Sequence, residues 1–132
     1  MLSYKETTKS VVECADDIYL LLGQGFSEAV YLRALELEMG NAQLNFKQIH
    51  VNKRSHPRPF DQSIFLNVED QMLVQLTVSS SIKASSHERF IPIIREQGLK
   101  EGIILNFGNH RLTYLYIHLG SEINTLKITS SC

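Results

Sequence analysis

The sequence has no tryptophan, 3 prolines, 2 cysteines and no long hydrophobic run. Its apolar runs fall far short of the roughly 18 residues that a membrane-spanning helix needs, so we expect no membrane partner. The N-terminal segment lacks the basic and then apolar pattern of a signal peptide. Cys14 and Cys132 lie at opposite ends of the chain without the CxxC spacing of a metal site, which favours two reduced thiols in a cytoplasmic protein.

An excess of charge of either sign is also missing. The 13 basic and 14 acidic residues give a formal net charge of -1, so the chain as a whole does not attract nucleic acid or anionic membranes. The sequence contains no P-loop, GxGxxG, GxSxG or HExxH motif. Its 5 histidines are scattered, and because zinc needs several convergent ligands we predict no metal site among them.

The length and the hydrophobic periodicity predict one α/β domain spanning residues 1–132. A chain of 132 residues with 43% hydrophobic residues can bury a core. Apolar residues recur at helical spacing from Thr8 to Leu22 and again over 28–39. Gly23 and Gly25 separate these two helices, and Ser27 is a good N-cap for the second.

A β-hairpin from Ile64 to Val78 organises the middle of the chain. Apolar residues alternate on both strands, and they share one face only if Val68 pairs with Met72 across a three-residue loop. This register brings Phe65 opposite Gln75, on the second face of the hairpin. That second face carries no charge, and any chemistry would lie there.

The remaining pattern completes a mixed sheet flanked by helices, with the order α-α-β-β-β-α-β-β. Strands are predicted over 44–52, 102–107 and 112–117, and a helix over 87–97 that Ser86 caps and Pro92 interrupts. The hairpin requires antiparallel pairing, whereas the helix after it allows a parallel crossover. The sheet and crossover helix then occupy 44–118, and the tail 119–132 adds a weak edge strand around 126–128 or frays.

The segment GQGFSEAVY, residues 23–31, resembles the signature of the GxxExxR protein family, a small bacterial group similar to PD-(D/E)XK nucleases. Gly25 and Glu28 match the motif, and Tyr31 takes its third position. Gln48 matches a glutamine of the family's first strand, and Asn106 begins a similar asparagine-phenylalanine-glycine turn. The matches are collinear over roughly residues 10 to 118. The resemblance implies a restriction-endonuclease-like core, in agreement with the element order.

The sequence departs from this family at the catalytic positions. The resemblance places an aspartate, a glutamate and a lysine where this chain has Phe65, Gln75 and Thr77. In such nucleases the two carboxylates hold Mg²⁺, which activates water, and the lysine orients the nucleophile. All three of these residues are replaced, so Glu28 of the helix motif is the only site residue of the family that remains, and Phe90 stands where the family tends to have glutamine. A single carboxylate should bind Mg²⁺ poorly, because the ion loses its water reluctantly.

Our leading interpretation is therefore a nuclease-like fold without cleavage activity or cofactor, retained as a binding or assembly module for a protein partner or a second copy. The alternative is an enzyme with a migrated site that uses Mg²⁺ or Mn²⁺. Asp61 has the same strand parity as Phe65, and Lys83 could reach in from the connector to meet Glu28. This alternative requires the three residues to converge.

Two weaker interpretations concern ligands. Lys53, Arg54 and Arg58 lie in the only local positive cluster and could contact nucleic-acid phosphates, although a solvated loop would have the same composition. A small-ligand binder would instead need a pocket lined by aromatic residues, namely Tyr19, Tyr31, Phe65 and Tyr114. Aromatic residues at these spacings more often belong to a core.

Overall fold

The computed structural model describes residues 4–51, 64–82, 84–120 and 124–130. Its three helices are α1 (Tyr4–Leu22), α2 (Glu28–Asn41) and α3 (Ala84–Glu96). Its six strands are β1 (Phe46–His50), β2 (Ile64–Val68), β3 (Met72–Thr77), β4 (Glu101–Asn106), β5 (Thr113–Leu119) and β6 (Asn124–Ser130). None of the helices in the described ranges has both the length and the apolar character that crossing a bilayer requires.

The six strands form one mixed sheet in the order β1-β2-β3-β4-β5-β6. Strands β3 and β4 are parallel and are connected through α3, and the other neighbours are antiparallel. Val68 pairs with Met72, which confirms the hairpin register and the three-residue loop. Glu69 and Asp70 form this turn in the left-handed region, with φ of 59° and 53°. The predicted α/β architecture is confirmed.

The two faces of the sheet have separate hydrophobic cores, because side chains alternate along each strand. Helices α1 and α2 pack on one face, where Val11, Ile18 and Leu35 meet Leu66 and Val74. Helix α3 covers the other face with a second cluster that includes Phe65, Leu73, Phe90, Ile94 and Ile104. Strand β4 is buried along its whole length, as its continuous apolar run predicts.

Glycine at position 102 allows α3 to lie close to the sheet. A Cβ atom there would be 2.5 Å from Ile94 Cδ1 and 2.6 Å from Phe90 Cε2. Any larger residue would therefore push α3 away from β4. The ring of Phe90 thereby reaches the sheet face that carries Phe65 and Leu73.

Several element boundaries differ from the sequence predictions. Helix α1 begins at Tyr4 rather than Thr8, and α3 begins at Ala84 rather than after a Ser86 cap. The expected interruption at Pro92 is wrong, because α3 continues through it to Glu96. Pro92 is exposed, so its ring lies away from the sheet. The C-terminal segment forms a seven-residue edge strand, longer than the predicted one.

Candidate functional site

The loop before α2 lies against the turn that follows β4. The ring of Tyr31 stacks on Phe107, with 4.5 Å between centroids and 12° between the planes. The Tyr31 hydroxyl donates to the Gly23 carbonyl at 2.5 Å, and the Phe26 N–H donates to the same hydroxyl at 3.4 Å. Gly25 has a φ of 104°, which favours glycine over any residue with a Cβ atom. The structure therefore explains why segment 23–31 has glycine at position 25 and tyrosine at position 31.

Asn106 connects the end of β4 to the segment that leaves β3. Its Oδ1 accepts hydrogen bonds from the N–H groups of Ser79 and Gly108, and its Nδ2 donates to the Ser79 carbonyl, each at 3.0 Å. Asn106 is fully buried, and these bonds satisfy the polar groups of its amide. The asparagine-phenylalanine-glycine turn thus joins the end of β4 to the segment that follows β3.

Glu28 is the first residue of α2 and is exposed. The preceding residue, Ser27, is the N-cap, as predicted, and its hydroxyl accepts from the Val30 N–H at 3.4 Å. A carboxylate at this position is favoured by the helix dipole. The helix dipole is therefore sufficient to account for a carboxylate at this position.

Gln48 forms a surface contact between β1 and α2. Its Nε2 donates to Glu36 Oε2 at 2.8 Å, and its Oε1 lies 3.2 Å from His50 Nε2. Gln48 and Glu36 are both at the surface, and each satisfies one hydrogen-bonding group of the other. The structure thus gives this motif residue a role in joining an edge strand to a helix.

Phe65, at the position of the expected aspartate, is fully buried beneath α3. Its ring stacks on Phe90, with 6.0 Å between centroids and 20° between the planes. Leu73, on the adjacent strand, is equally buried in the same cluster. At Phe65 and Leu73, the face to which the resemblance assigns metal ligands is therefore hydrophobic core, covered by this chain itself.

Gln75 and Thr77 follow on β3 and are partly buried. Gln75 Oε1 is a buried oxygen without a hydrogen-bond partner among the described residues. Thr77 pairs with Asn106 in the parallel ladder, and its carbonyl accepts from the Phe107 N–H at 3.0 Å. Neither side chain carries a charge, so they offer a divalent ion only neutral oxygens.

Two of the three residues of the alternative migrated site, Asp61 and Lys83, lie outside the described residues, so their distances from Glu28 are not described. The same holds for the phosphate-contact candidates Lys53, Arg54 and Arg58. Within the described ranges, no group of three or more His, Cys, Asp and Glu side chains could hold a metal ion.

The predicted aromatic ligand pocket is wrong. Tyr19, Tyr31 and Tyr114 belong to the core on the α1–α2 face, whereas Phe65 belongs to the core beneath α3. The sheet separates the two groups, so the four rings cannot line one cavity. The core role that we favoured for these aromatic residues is confirmed, and strand parity places Phe65 and Tyr114 on different faces of the sheet.

A polar cluster on the α1–α2 face was not predicted. Glu101 is only 1% exposed, and its Oε2 accepts from the Tyr116 hydroxyl at 2.7 Å and lies 3.8 Å from His118 Nδ1. Burial, and then the hydrogen bond to Glu101, raise the pKa of Tyr116. The available signal was a glutamate at the start of an apolar strand, which requires a polar partner across the sheet.

Comparison with known proteins supports the interpretation of the fold. No curated protein and no solved structure gives a significant match to this sequence. The sequence does match the PD-(D/E)XK nuclease superfamily over residues 5–116, which include both N-terminal helices, the hairpin, α3 and β4. The chain therefore belongs to the PD-(D/E)XK nuclease superfamily.

Proposed function

We propose that this chain is a catalytically silent member of its superfamily, which acts as a binding or assembly module. The observation that carries the proposal is the Phe65–Phe90 stack. The resemblance to GxxExxR proteins places an aspartate at position 65 and a glutamine at position 90. This chain has phenylalanine at both positions, and the two rings are buried against each other. One substitution alone would leave a polar group in an apolar site, whereas the pair forms a continuous core.

The chemistry of the remaining positions supports the same conclusion. Mg²⁺ in phosphoryl-transfer sites is held by carboxylates and keeps several waters. Gln75 and Thr77 supply no negative charge, and Phe65 supplies no oxygen. Glu28 would be the only carboxylate left from the family pattern, and one carboxylate does not replace the lost set. We therefore assign the chain no metal cofactor.

We further propose that the chain belongs with the GxxExxR proteins. The motif residues Gly25 and Tyr31 shape the loop before α2, and Asn106 holds the turn against which that loop packs. A shared signature that encodes a local fold persists when catalytic residues are lost, because stability still depends on it. Such residues would remain in a silent member.

The partner that we propose is a protein or a second copy of this chain. Large apolar side chains are exposed near the end of α1 and along α2, among them Leu21 at 83% and Leu37 at 56%. Large apolar side chains left exposed in this way can belong to an interaction site. Sedimentation equilibrium tests self-association, with Leu21→Glu expected to shift a dimer toward monomer. A monomer at all concentrations would leave a different protein as the partner.

Metal binding tests the catalytic half of the proposal. Mn²⁺ can be titrated into the protein and followed by water proton relaxation, with Glu28→Ala as the matched variant. We expect only weak binding, without saturation, that is the same in both proteins. Saturable binding that is lost in Glu28→Ala would contradict the proposal and favour a site completed by Asp61 and Lys83.

A further inference from the structure

A groove lies between α1 and β5, on the sheet face opposite Phe65. Its volume is about 540 Å³, within the range of small-molecule sites. We call it the α1–β5 groove; it is lined by Lys5, Thr8, Lys9, Val12, Glu13, Tyr114 and Tyr116. The groove combines an aromatic wall with charged side chains, a composition that differs from that of either core.

Strand β5 supplies the aromatic wall. Tyr114 and Tyr116 are two residues apart, so they lie side by side on one face of the sheet. Tyr116 is held in position because its hydroxyl donates to the buried Glu101 carboxylate at 2.7 Å. Both rings are half-buried against the core and still line the groove. Fixed rings of this kind can stack on a planar ligand with little loss of side-chain freedom.

Helix α1 supplies the charge. Lys5 and Lys9 are exposed and one turn apart, so both ammonium groups lie along the same edge of the groove. Neither forms a salt bridge with any residue in the described part of the chain. Lys5 also lies in the first turn of α1, where the helix dipole is positive. Glu13 continues the row one turn farther on.

We propose that the α1–β5 groove binds a nucleotide unit, with its base against Tyr114 and its phosphate at Lys5 and Lys9. The Glu13 carboxylate, at the far end of the row, accepts a hydrogen bond from the sugar or from an exocyclic amine. A planar ring joined to an anion matches both walls, whereas an acyl chain would leave the tyrosine faces without a stacking partner. This inference does not depend on the loss of catalysis, because the groove lies on the other face of the sheet.

The nucleotide unit can come from a free nucleotide or from a single strand, and the probes distinguish these sources. Free AMP and UMP are titrated by calorimetry at millimolar concentration, and a short fluorescent oligothymidine is titrated by anisotropy. Each probe is measured with wild type, Tyr114→Leu, Lys9→Gln and Lys47→Gln. Lys47 is the control for the loss of one exposed positive charge, because it lies on β1 at the opposite edge of the sheet, where its ammonium group is 3.6 Å from Asp70 Oδ1.

We expect Tyr114→Leu to weaken binding about 10-fold, in line with the loss of one stacked base. Lys9→Gln should weaken binding several-fold and reduce its salt dependence, while Lys47→Gln should leave affinity within about twofold. Effects on AMP and UMP would assign the groove to free nucleotides, and effects on the oligomer alone would assign it to a single strand. Absence of binding by every probe, or binding that Tyr114→Leu and Lys9→Gln leave unchanged, would overturn the proposal. Lys9 is exposed, so its variant gives a valid result even if Tyr114→Leu unfolds.

Discussion

Phe65 on β2 and Phe90 on α3 are stacked at 6.0 Å, and both rings are fully buried. They occupy the positions at which the resemblance to GxxExxR proteins places an aspartate and a glutamine. The contact joins the hairpin to the crossover helix through the face that would otherwise hold a metal. On our proposal, the loss of the ion site and the gain of this core contact are the same structural change.

Restoring the aspartate should damage the fold. Phe65→Asp places a carboxylate beneath α3 with no basic partner among the described neighbours, and we expect a loss of about 3–5 kcal/mol in the free energy of unfolding. Phe65→Leu, which keeps the site apolar, should cost only about 1–2 kcal/mol. Urea unfolding of the three proteins measures both. A Phe65→Asp protein as stable as wild type would mean that this face is open to water.

The turn after β4 should tolerate no side chain at Gly108. A Cβ atom there would lie 2.2 Å from the Ser79 backbone nitrogen and would disturb the bonds that Asn106 makes. We expect Gly108→Ala to lower stability by about 1–3 kcal/mol. Gly40→Ala is the control, because nothing lies within 4 Å of its new Cβ atom and alanine favours the helix by up to about 1 kcal/mol. Equal thermal midpoints for the two variants would refute this account of the turn.

The hydroxyl of Tyr31 should contribute separately from its ring. Tyr31→Phe removes the bond to the Gly23 carbonyl and the longer bond from the Phe26 N–H but keeps the stack on Phe107, so we expect a loss of about 1 kcal/mol. Tyr31→Ala removes both and should cost about 3–5 kcal/mol. The two variants can be compared by chemical unfolding. If they were equally stable, the ring would have no role in anchoring α2 to the sheet.

The thiol of Cys14 should react slowly in the native protein. Burial, and then the carboxylate of Glu38, raise its pKa from 9.0 to about 11, which lowers the reactive thiolate fraction about 100-fold below pH 9. Alkylation with iodoacetamide in a Cys132→Ser background measures this rate, and denatured protein serves as the control. Equal native and denatured rates would contradict burial of Cys14.

The same raised pKa predicts a dependence of stability on pH. The neutral thiol is favoured in the folded state, so its contribution is complete below the unfolded value near 9 and is lost as the pH rises toward 11. The difference in unfolding free energy between wild type and Cys14→Ala should therefore shrink over this interval. A difference that stays constant would show that Cys14 titrates alike in both states.

The hairpin register and the mixed sheet could be predicted from the sequence, because alternation of apolar residues determines which face each residue occupies. The alternation of apolar residues along the two strands predicted that Val68 pairs with Met72 and that Phe65 lies on the uncharged face. It could not show that α3 would cover that face, since this depends on the close approach permitted at Gly102. The stacking of Phe65 on Phe90 is a long-range contact with no local signal.

Pro92 shows that local helix propensity alone does not predict where a helix ends. A proline inside a helix removes one hydrogen bond and was expected to interrupt α3, yet the helix continues through it. Burial of Phe90, Ile93 and Ile94 against the sheet stabilises the helix on both sides of the proline. Tertiary packing therefore outweighed the local cost, and no sequence rule applied to residues 87–97 alone includes that packing.

The central claim, loss of metal-dependent cleavage, is tested most directly by a time course on plasmid and single-stranded DNA with Mg²⁺ or Mn²⁺. Wild type and Glu28→Ala are measured side by side, with metal-free reactions as the baseline. We predict that neither protein cleaves either substrate above this baseline. Metal-dependent cleavage by wild type that disappears in Glu28→Ala would contradict the account and make Asp61 and Lys83 the next residues to substitute.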